Sequence, residues 1–489
     1  MDKRPNILWV CTDQQRWDTI ACLGNSEIRT PNIDRLCAGG WAFTHAYAQA
    51  PICTPSRASM MTGRYPASHH VMRNGNASFP ESETLVSSLL ADAGYRCGLI
   101  GKLHLSGQAK GERRPSRDGF ETFLWNPQPA YGGEGSDYID WLAEKGVRHS
   151  ELYADATKFC GPGAPEDLNQ SAWATERSLD FISERKDDTW FLMVNLFDPH
   201  PPFDPPQTYL DRYDPETLSP PAWRESDAEA QAFMADIPFQ TPYLDVFGPA
   251  PERNGAGVPA NRPAQVAAKP PQSFDARFMK AAYFAMIENI DTCFGRMLDH
   301  LESLGLAEDT LVVFGSDHGE MLGDHGLAYK GCRFYDGLVR VPLILRQPGK
   351  IRSGIVSEAL VELVDIAPTL LEAAGITVPP SMQGASFWPL LGGEGDPNRH
   401  KQMVLSEFND SQSGFAPEHG VMVFDGRYKS CFYEHHGLME VYDQQVDPLE
   451  FDNLVQRGID PALKAEILDK HLRKWLSTSD AGIVRTGTS

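Results

Sequence analysis

The chain has 489 residues, 41% of them hydrophobic and 22% charged, more than one ordinary domain holds and enough for a large α/β core with an appendage. Its formal net charge of -22 argues against nucleic acid and anionic membranes as partners, so a site for an anion has to be built locally from lysine, arginine and metal charge. No run approaches the ~20 apolar residues of a membrane span. Ile7–Cys11 is too short for a signal peptide, and nine cysteines without Cys-x-x-Cys spacing point to reduced thiols in a cytoplasmic protein.

Asn6 to Thr12 is a continuous apolar run and predicts a strand buried on both faces. Thr84 to Ala93 has helical spacing with Gly94 placed to end it, and Tyr95 to Ile100 reads as the next buried strand. Ser171 to Lys186 predicts an amphipathic helix followed by a strand over Trp190–Phe197. Phe278–Leu304 is a long helix leading into a strand at Thr310–Ser316; Val341–Leu345 is a fifth strand and Val364–Ala374 a further helix. Such alternation implies a large, mostly parallel mixed sheet covered by helices on both faces. After Gly392–Pro397 the texture changes to short strands at Met403–Phe408, Gly420–Phe424, Tyr428–Tyr433 and Leu438–Tyr442, closed by a helix at Pro461–Leu476. The predicted organisation is a catalytic α/β domain over residues 1–395 and a small antiparallel sheet with a terminal helix over 396–489. A proline-rich insertion at about 199–271 reads as a lid or an oligomer contact.

Ligands of open α/β sheets bind beyond the carboxyl ends of the strands. The first strand ends at Asp13-Gln14, the second at Gly101-Lys102-Leu103-His104, the third at Asp198-Pro199-His200 and the fourth at Asp317-His318-Gly319-Glu320. Asp13, Gln14, Asp317 and His318 make a divalent cation site of two carboxylates, an amide oxygen and an imidazole, although Asp13 alone would read as a turn or cap residue. Gln14 and His318 lower the ligand charge and add nitrogen, which favours manganese and leaves calcium possible. Lys102 and His104 share one side of an extended segment because strand side chains alternate, and there a lysine neutralises an oxyanion and a histidine moves a proton near neutral pH. Asn74 in Arg73-Asn74-Gly75 is either a turn residue or a substrate contact. His69, His70, His325, His435 and His436 read as solvated loop histidines, with Asp324-His325 shaping the loop that presents Lys330.

Cys53-Thr54-Pro55-Ser56-Arg57, followed by Ala58 to Arg64, resembles the signature of type I sulfatases of the alkaline phosphatase superfamily. Pro5–Asp13, Thr30–Leu36, Gly101–His104 and Gly315–Lys330 extend the resemblance, toward arylsulfatases and phosphonate monoester hydrolases, along nearly the whole chain. The resemblance implies an alkaline phosphatase-like fold. It also implies that a formylglycine-generating enzyme oxidises Cys53 to formylglycine, whose hydrate, bound to the metal, attacks sulfur and forms a covalent sulfo-enzyme intermediate. Arg57 lies one helical turn beyond Cys53 if Cys53 opens a helix, in reach of the nucleophile's oxygen, and helix N-terminal N–H groups favour an anion there.

By the same resemblance Lys102 binds the sulfate and His104 helps break the covalent ester. His200 and Lys330 bind substrate, one of them protonating the leaving oxygen. The expected activity is hydrolysis of aryl or sugar sulfate monoesters, with a phosphonate monoester or phosphodiester hydrolase as the alternative; keeping Lys102 and His104 leans toward sulfate. The organic part of the substrate stays open, with Phe203, Tyr243, Phe247 and Trp125 as aromatic lining candidates. The insertion and acidic surface are compatible with a dimer or tetramer.

Overall fold

β1 (Asn6–Thr12) is buried along its whole length in the computed structural model, which describes residues 4–107, 112–128, 135–153, 160–231, 275–409 and 418–478. Ile7, Trp9 and Cys11 belong to one hydrophobic core, Leu8 and Val10 to another. A strand covered on both faces alternates its side chains in this way, and its sequence is therefore a continuous apolar run. The same sheet contains β2 (Trp41–Tyr47), β3 (Arg96–Gly101), β4 (Thr122–Trp125), β5 (Trp190–Asn195), β6 (Thr310–Ser316), β7 (Arg340–Arg346), β8 (Ile355–Ser357) and β9 (Val361–Glu362). Across the sheet the order is β4-β3-β5-β1-β6-β7-β2-β8, with β9 also pairing with β2. The run β4 to β6 is parallel, whereas β7 lies antiparallel to both β6 and β2.

Helices cover the two faces unequally in kind. On one side lie α1 (Pro31–Gly39), α4 (Gln170–Glu184) and the 28-residue α5 (Ala276–Ser303); on the other lie α2 (Cys53–Thr62), α3 (Val86–Asp92) and α6 (Ile366–Ala373). Side-chain caps start the two long helices: Asn169 accepts from the Ala172 N–H and Asp275 from the Phe278 N–H. A second sheet of β10 (Val404–Asn409), β11 (His419–Phe424), β12 (Tyr428–Tyr433) and β13 (Leu438–Asp443) is antiparallel in simple succession, followed by α7 (Pro461–Thr478).

The small sheet braces the segments that carry the chemistry. Val404, Phe408, Met422 and Phe424 pack against Ala50 and Ile52, just before Cys53, and against Cys332 and Phe334, just after Lys330. Lys429 is buried beneath them, its Nζ 2.6 Å from both Asp336 Oδ1 and Glu450 Oε1 and 2.9 Å from the Phe334 carbonyl. A buried pair of this kind is costly to break from one side, about 3–5 kcal/mol, because the remaining charge stays desolvated.

The expected strands and helices are present, with β5 ending at Asn195 and not at Phe197. β2, β4, β8 and β9 were not expected. Thr44 and His45 interrupt the apolar pattern of β2 where its register with β7 shifts between Phe43 and Ala46, and the other three have only two to four residues. Of the insertion, residues 199–231 are described: Phe203, Tyr209, Tyr213 and Leu218 are buried against Tyr283 and Phe284 of α5. Residues 232–271, with Tyr243 and Phe247, lie outside the described residues.

Gly101 closes β3 immediately before Lys102, at φ 108, and a Cβ there would lie 1.9 Å from the Asn195 carbonyl oxygen on β5. Gly101→Ala is expected to cost at least about 3 kcal/mol, overpacking and left-handed strain together. Urea unfolding measures this, and an unchanged midpoint would contradict the close strand approach.

Candidate active site

β1 delivers Asp13 and Gln14, β6 delivers Asp317 and His318, and the first residue of α2 is Cys53. All five are fully buried. The ligand atoms of Asp13, Cys53, Asp317 and His318 lie within 4.8 Å of one another. Around the thiol sulfur of the unmodified Cys53 stand Lys330 Nζ at 2.8 Å, His318 Nε2 at 3.2 Å, Asp13 Oδ1 at 3.6 Å and Lys102 Nζ at 3.8 Å.

Each member is held by a second bond. His318 Nδ1 donates to the Gly319 carbonyl at 2.9 Å, which leaves the Nε2 lone pair for the site. Asp317 Oδ1 accepts from the Gln14 and His318 backbone N–H groups at 3.0 and 2.9 Å. Ser56 Oγ donates to the Asp317 carbonyl at 2.5 Å. Gln14 sits at φ 73, with its carbonyl accepting from Tyr283 Oη at 2.6 Å. Its side-chain nitrogen donates to Glu320, and its Oε1 is buried with no hydrogen-bond partner among the described residues. Two carboxylates, an imidazole nitrogen that faces the Cys53 sulfur and an orphan amide oxygen form a donor set that fits a divalent cation.

Arg57 takes a different post from the expected one. Its Nε donates to Asp317 Oδ2 at 2.8 Å, its Nη2 to Asp13 Oδ2 at 3.2 Å and its Nη1 to the Lys102 carbonyl at 3.0 Å. Three of its five N–H groups are thus engaged, two of them holding the two carboxylates. Lys102 Nζ lies 2.5 Å from Asp13 Oδ2 and 5.2 Å from the Phe197 ring centroid.

The segment after β3 is not extended, because His104 adopts φ 57. Glu112 holds that turn, accepting from the His104 and Leu105 N–H groups at 2.8 and 2.6 Å and from Trp125 Nε1 at 3.2 Å. His104 Nδ1 is buried with no hydrogen-bond partner among the described residues. His200 Nδ1 donates to the Pro201 carbonyl at 2.7 Å, with its ring 4.5 Å from that of Phe197. Asn74 Oδ1 accepts from the Thr54 N–H at 3.0 Å and so steadies the start of α2. Phe203 is fully buried in the core with Tyr283, and Trp125 is 4% exposed, so neither forms an open wall. His69 is not solvated: it is buried, its Nε2 2.9 Å from Ser59 Oγ of α2. His325 is likewise buried, stacked on Tyr335 at 3.9 Å.

The Sulfatase family profile matches residues 5–376, and the profile for the N-sulphoglucosamine sulphohydrolase C-terminal region matches residues 323–477. The chain belongs to the Sulfatase family. As such it is a sulfuric ester hydrolase, with relatives consistent with the alkaline phosphatase superfamily. It is 29% identical to an arylsulfatase of Clostridium perfringens, over 92% of this chain and 90% of that one. It is also 29% identical to the multifunctional alkaline phosphatase superfamily protein PehA of Trinickia caryophylli, over 98% and 96%. Among solved structures, the phosphonate monoester hydrolase of Agrobacterium radiobacter superposes with a TM-score of 0.77 at 26% identity, over 97% and 95%.

In this sulfatase-family site the charges set one another. Burial raises the Asp13 carboxyl, but Lys102, His200, Lys330 and Arg57 outweigh it and hold the group well below the usual range. Burial and Asp13 push the Cys53 thiol up, yet Lys102, Lys330 and His318 bring the net shift downward. Burial, and then Lys330, drives His200 well below its ordinary value; burial, Lys102 and Arg57 do the same to His104. Both rings are therefore neutral at pH 7. Because the proton of His200 is on Nδ1, its Nε2 is an acceptor. Lys330 is shifted the other way: burial opposes its charge, but Cys53 and Asp13 overcome that and raise it. In this structure, with Cys53 unmodified, Lys330 is thus charged at pH 7 and His200 is not.

Glu112, Glu320 and Phe197 were not assigned roles from the sequence. Glu320 stood in the Asp-His-Gly-Glu strand end and was visible, whereas nothing in Gly111-Glu112-Arg113 marks Glu112 as a backbone clamp. Asp198, at the exit of β5, accepts from Ser171 Oγ at 2.7 Å and is pushed up to about 6 by burial. A carboxyl that binds its proton more tightly folded than unfolded loses stability as pH rises from its ordinary 3.8 through about 6, here by up to about 3 kcal/mol. Asp198→Asn removes that loss. Relative to the parent, its unfolding free energy is expected to improve by about 2–3 kcal/mol between pH 4 and pH 8, and a pH-independent difference would contradict the burial effect.

Proposed function

We propose that the enzyme hydrolyses aryl or sugar sulfate monoesters, with residue 53 as nucleophile after its thiol is oxidised to formylglycine. The observation that carries the reading is the position of Cys53: it opens α2 with Lys330 and Lys102 within 3.8 Å of its sulfur and with its sulfur among the cation donor atoms. A formylglycine-generating enzyme would make the modification, and because Cys53 is fully buried it needs access before α2 is packed.

A divalent cation held by Asp13, Gln14, Asp317, His318 and residue 53 would supply Lewis-acid charge, with manganese favoured by the nitrogen ligand and the neutral amide. Formylglycine supplies a hydrated aldehyde, two hydroxyls on one carbon. Lys102 and Lys330 bind the sulfuryl oxygens and take up charge as it develops. Lys330 Nζ gives a proton to the leaving oxygen, while the His200 Nε2 lone pair accepts a hydrogen bond from the ligand. His104, neutral and with a partnerless Nδ1, accepts the hydroxyl proton of residue 53 needed to release sulfate and restore the starting state. Arg57 keeps both carboxylates in place throughout.

A reading as a phosphonate monoester hydrolase is supported by the likeness to the Agrobacterium enzyme, since the same lysines bind any tetrahedral oxyanion. The full chain, with its aldehyde content verified, separates the two readings. kcat/KM for 4-nitrophenyl sulfate is expected to exceed that for an aryl phosphonate at least tenfold, and Cys53→Ala to lose at least 10³-fold on either, the order of a removed nucleophile. A higher efficiency on the phosphonate would overturn the sulfate assignment.

A further inference from the structure

Glu320 is fully buried beside the cation donor set without belonging to it. Among the described residues its carboxylate accepts only from N–H groups: Oε2 from the Gln14 side-chain nitrogen, and Oε1 from the backbone N–H groups of Leu322, at 3.1 Å, and Tyr329. Its own backbone is pinned as well, the carbonyl accepting from Arg16 Nη1 at 2.9 Å and the N–H donating to the Gly337 carbonyl at 2.9 Å.

Burial raises the Glu320 carboxyl, but N–H donors face both of its oxygens, an arrangement that suits the ionised form, which only accepts hydrogen bonds, whereas a primary amide both donates and accepts. Opposite Glu320 the Gln14 amide therefore has one satisfied orientation, nitrogen toward Glu320 and oxygen away from it. That oxygen is the buried atom left without a hydrogen-bond partner among the described residues. The backbone of Gln14 cannot swing to compensate, because its N–H is held by Asp317 and its carbonyl by Tyr283. The second oxygen of Glu320 grips the N–H of Tyr329, the residue before Lys330, whose Nζ is 2.8 Å from the Cys53 sulfur. One carboxylate thus spans the cation side and the lysine side of the nucleophile.

We propose that Glu320 is a positioning residue that sets the cation affinity of the site by forcing the Gln14 amide oxygen toward the donor set, and that its other oxygen seats the Lys330 loop. The inference rests on the reading of Asp13, Gln14, Asp317 and His318 as cation ligands. In Glu320→Gln the new amide can donate as well as accept, so Gln14 is free to turn its nitrogen, which is no ligand, toward the cation.

The test uses the chelator-treated full chain and Mn2+ alone, with the dissociation constant read by calorimetry and folding checked by circular dichroism. E320Q is expected to weaken Mn2+ binding about 10–100-fold, the range for loss of a partner that orients a ligand. Gln14→Ala should weaken it as well, and the double variant should be no weaker than Gln14→Ala alone, because Glu320 acts through Gln14. Should E320Q not fold, Glu320→Asp, which keeps the charge but shortens the reach, is put through the same cycle and is expected to lose at least tenfold. Wild-type affinity in the folded Glu320 variant, or losses that add to those of Gln14→Ala, would overturn the proposal. If the wild-type chain itself binds neither Mn2+ nor Ca2+, it is the cation reading that fails instead.

Discussion

The site depends on one guanidinium. Asp13 and Asp317 are fully buried at the ends of neighbouring parallel strands, where two like charges would repel in a low dielectric. Arg57 answers both with a planar fork and uses its remaining nitrogen on the Lys102 carbonyl, so three chain segments converge on one side chain. Because Arg57 also lies on α2, the bonds that fix the carboxylates fix Cys53 against them. A lysine could balance the charge but not hold both carboxylates in one plane.

An acidic protein has here assembled a local patch of positive charge, and the means are visible. Lys102 leans on Asp13, Lys330 approaches the Cys53 sulfur, and His104 and His200 stay neutral because burial and the lysines disfavour a further positive charge. The net charge of -22 is thus no obstacle to an anionic substrate at the site itself. Shape comes from the rest of the fold: the small sheet presses on Ile52 and Phe334, either side of the nucleophile and Lys330, and Glu112 holds the turn that carries His104.

Much of this was legible from residue order. Buried parallel strands are unbroken apolar runs, so their carboxyl ends, and with them Asp13, Lys102, His200 and Asp317, were readable along with the fold class. What was not legible depends on three-dimensional pairing. The spacing of Cys53 and Arg57 places them on one helix face but does not reveal that the fork turns to carboxylates from two other strands. Alternation predicted Lys102 and His104 on one side of an extended segment; β3 already ends at Gly101 and His104 adopts a positive φ, so the segment is not extended, although His104 does feel the Lys102 charge. β2 was missed because polar Thr44 and His45 fall at its bulge, and buried His69 because a histidine closing the four-residue helix Pro66–His69 carries no burial signal of its own.

The account stands on the chemical identity of residue 53. The direct measurement is the intact mass of the peptide spanning Cys53, from full-length protein produced together with a formylglycine-generating enzyme. The expected result is the mass of the aldehyde, in a fraction that scales with sulfate-ester turnover across preparations. A thiol mass throughout in protein that nevertheless turns over a sulfate ester at full rate would contradict it.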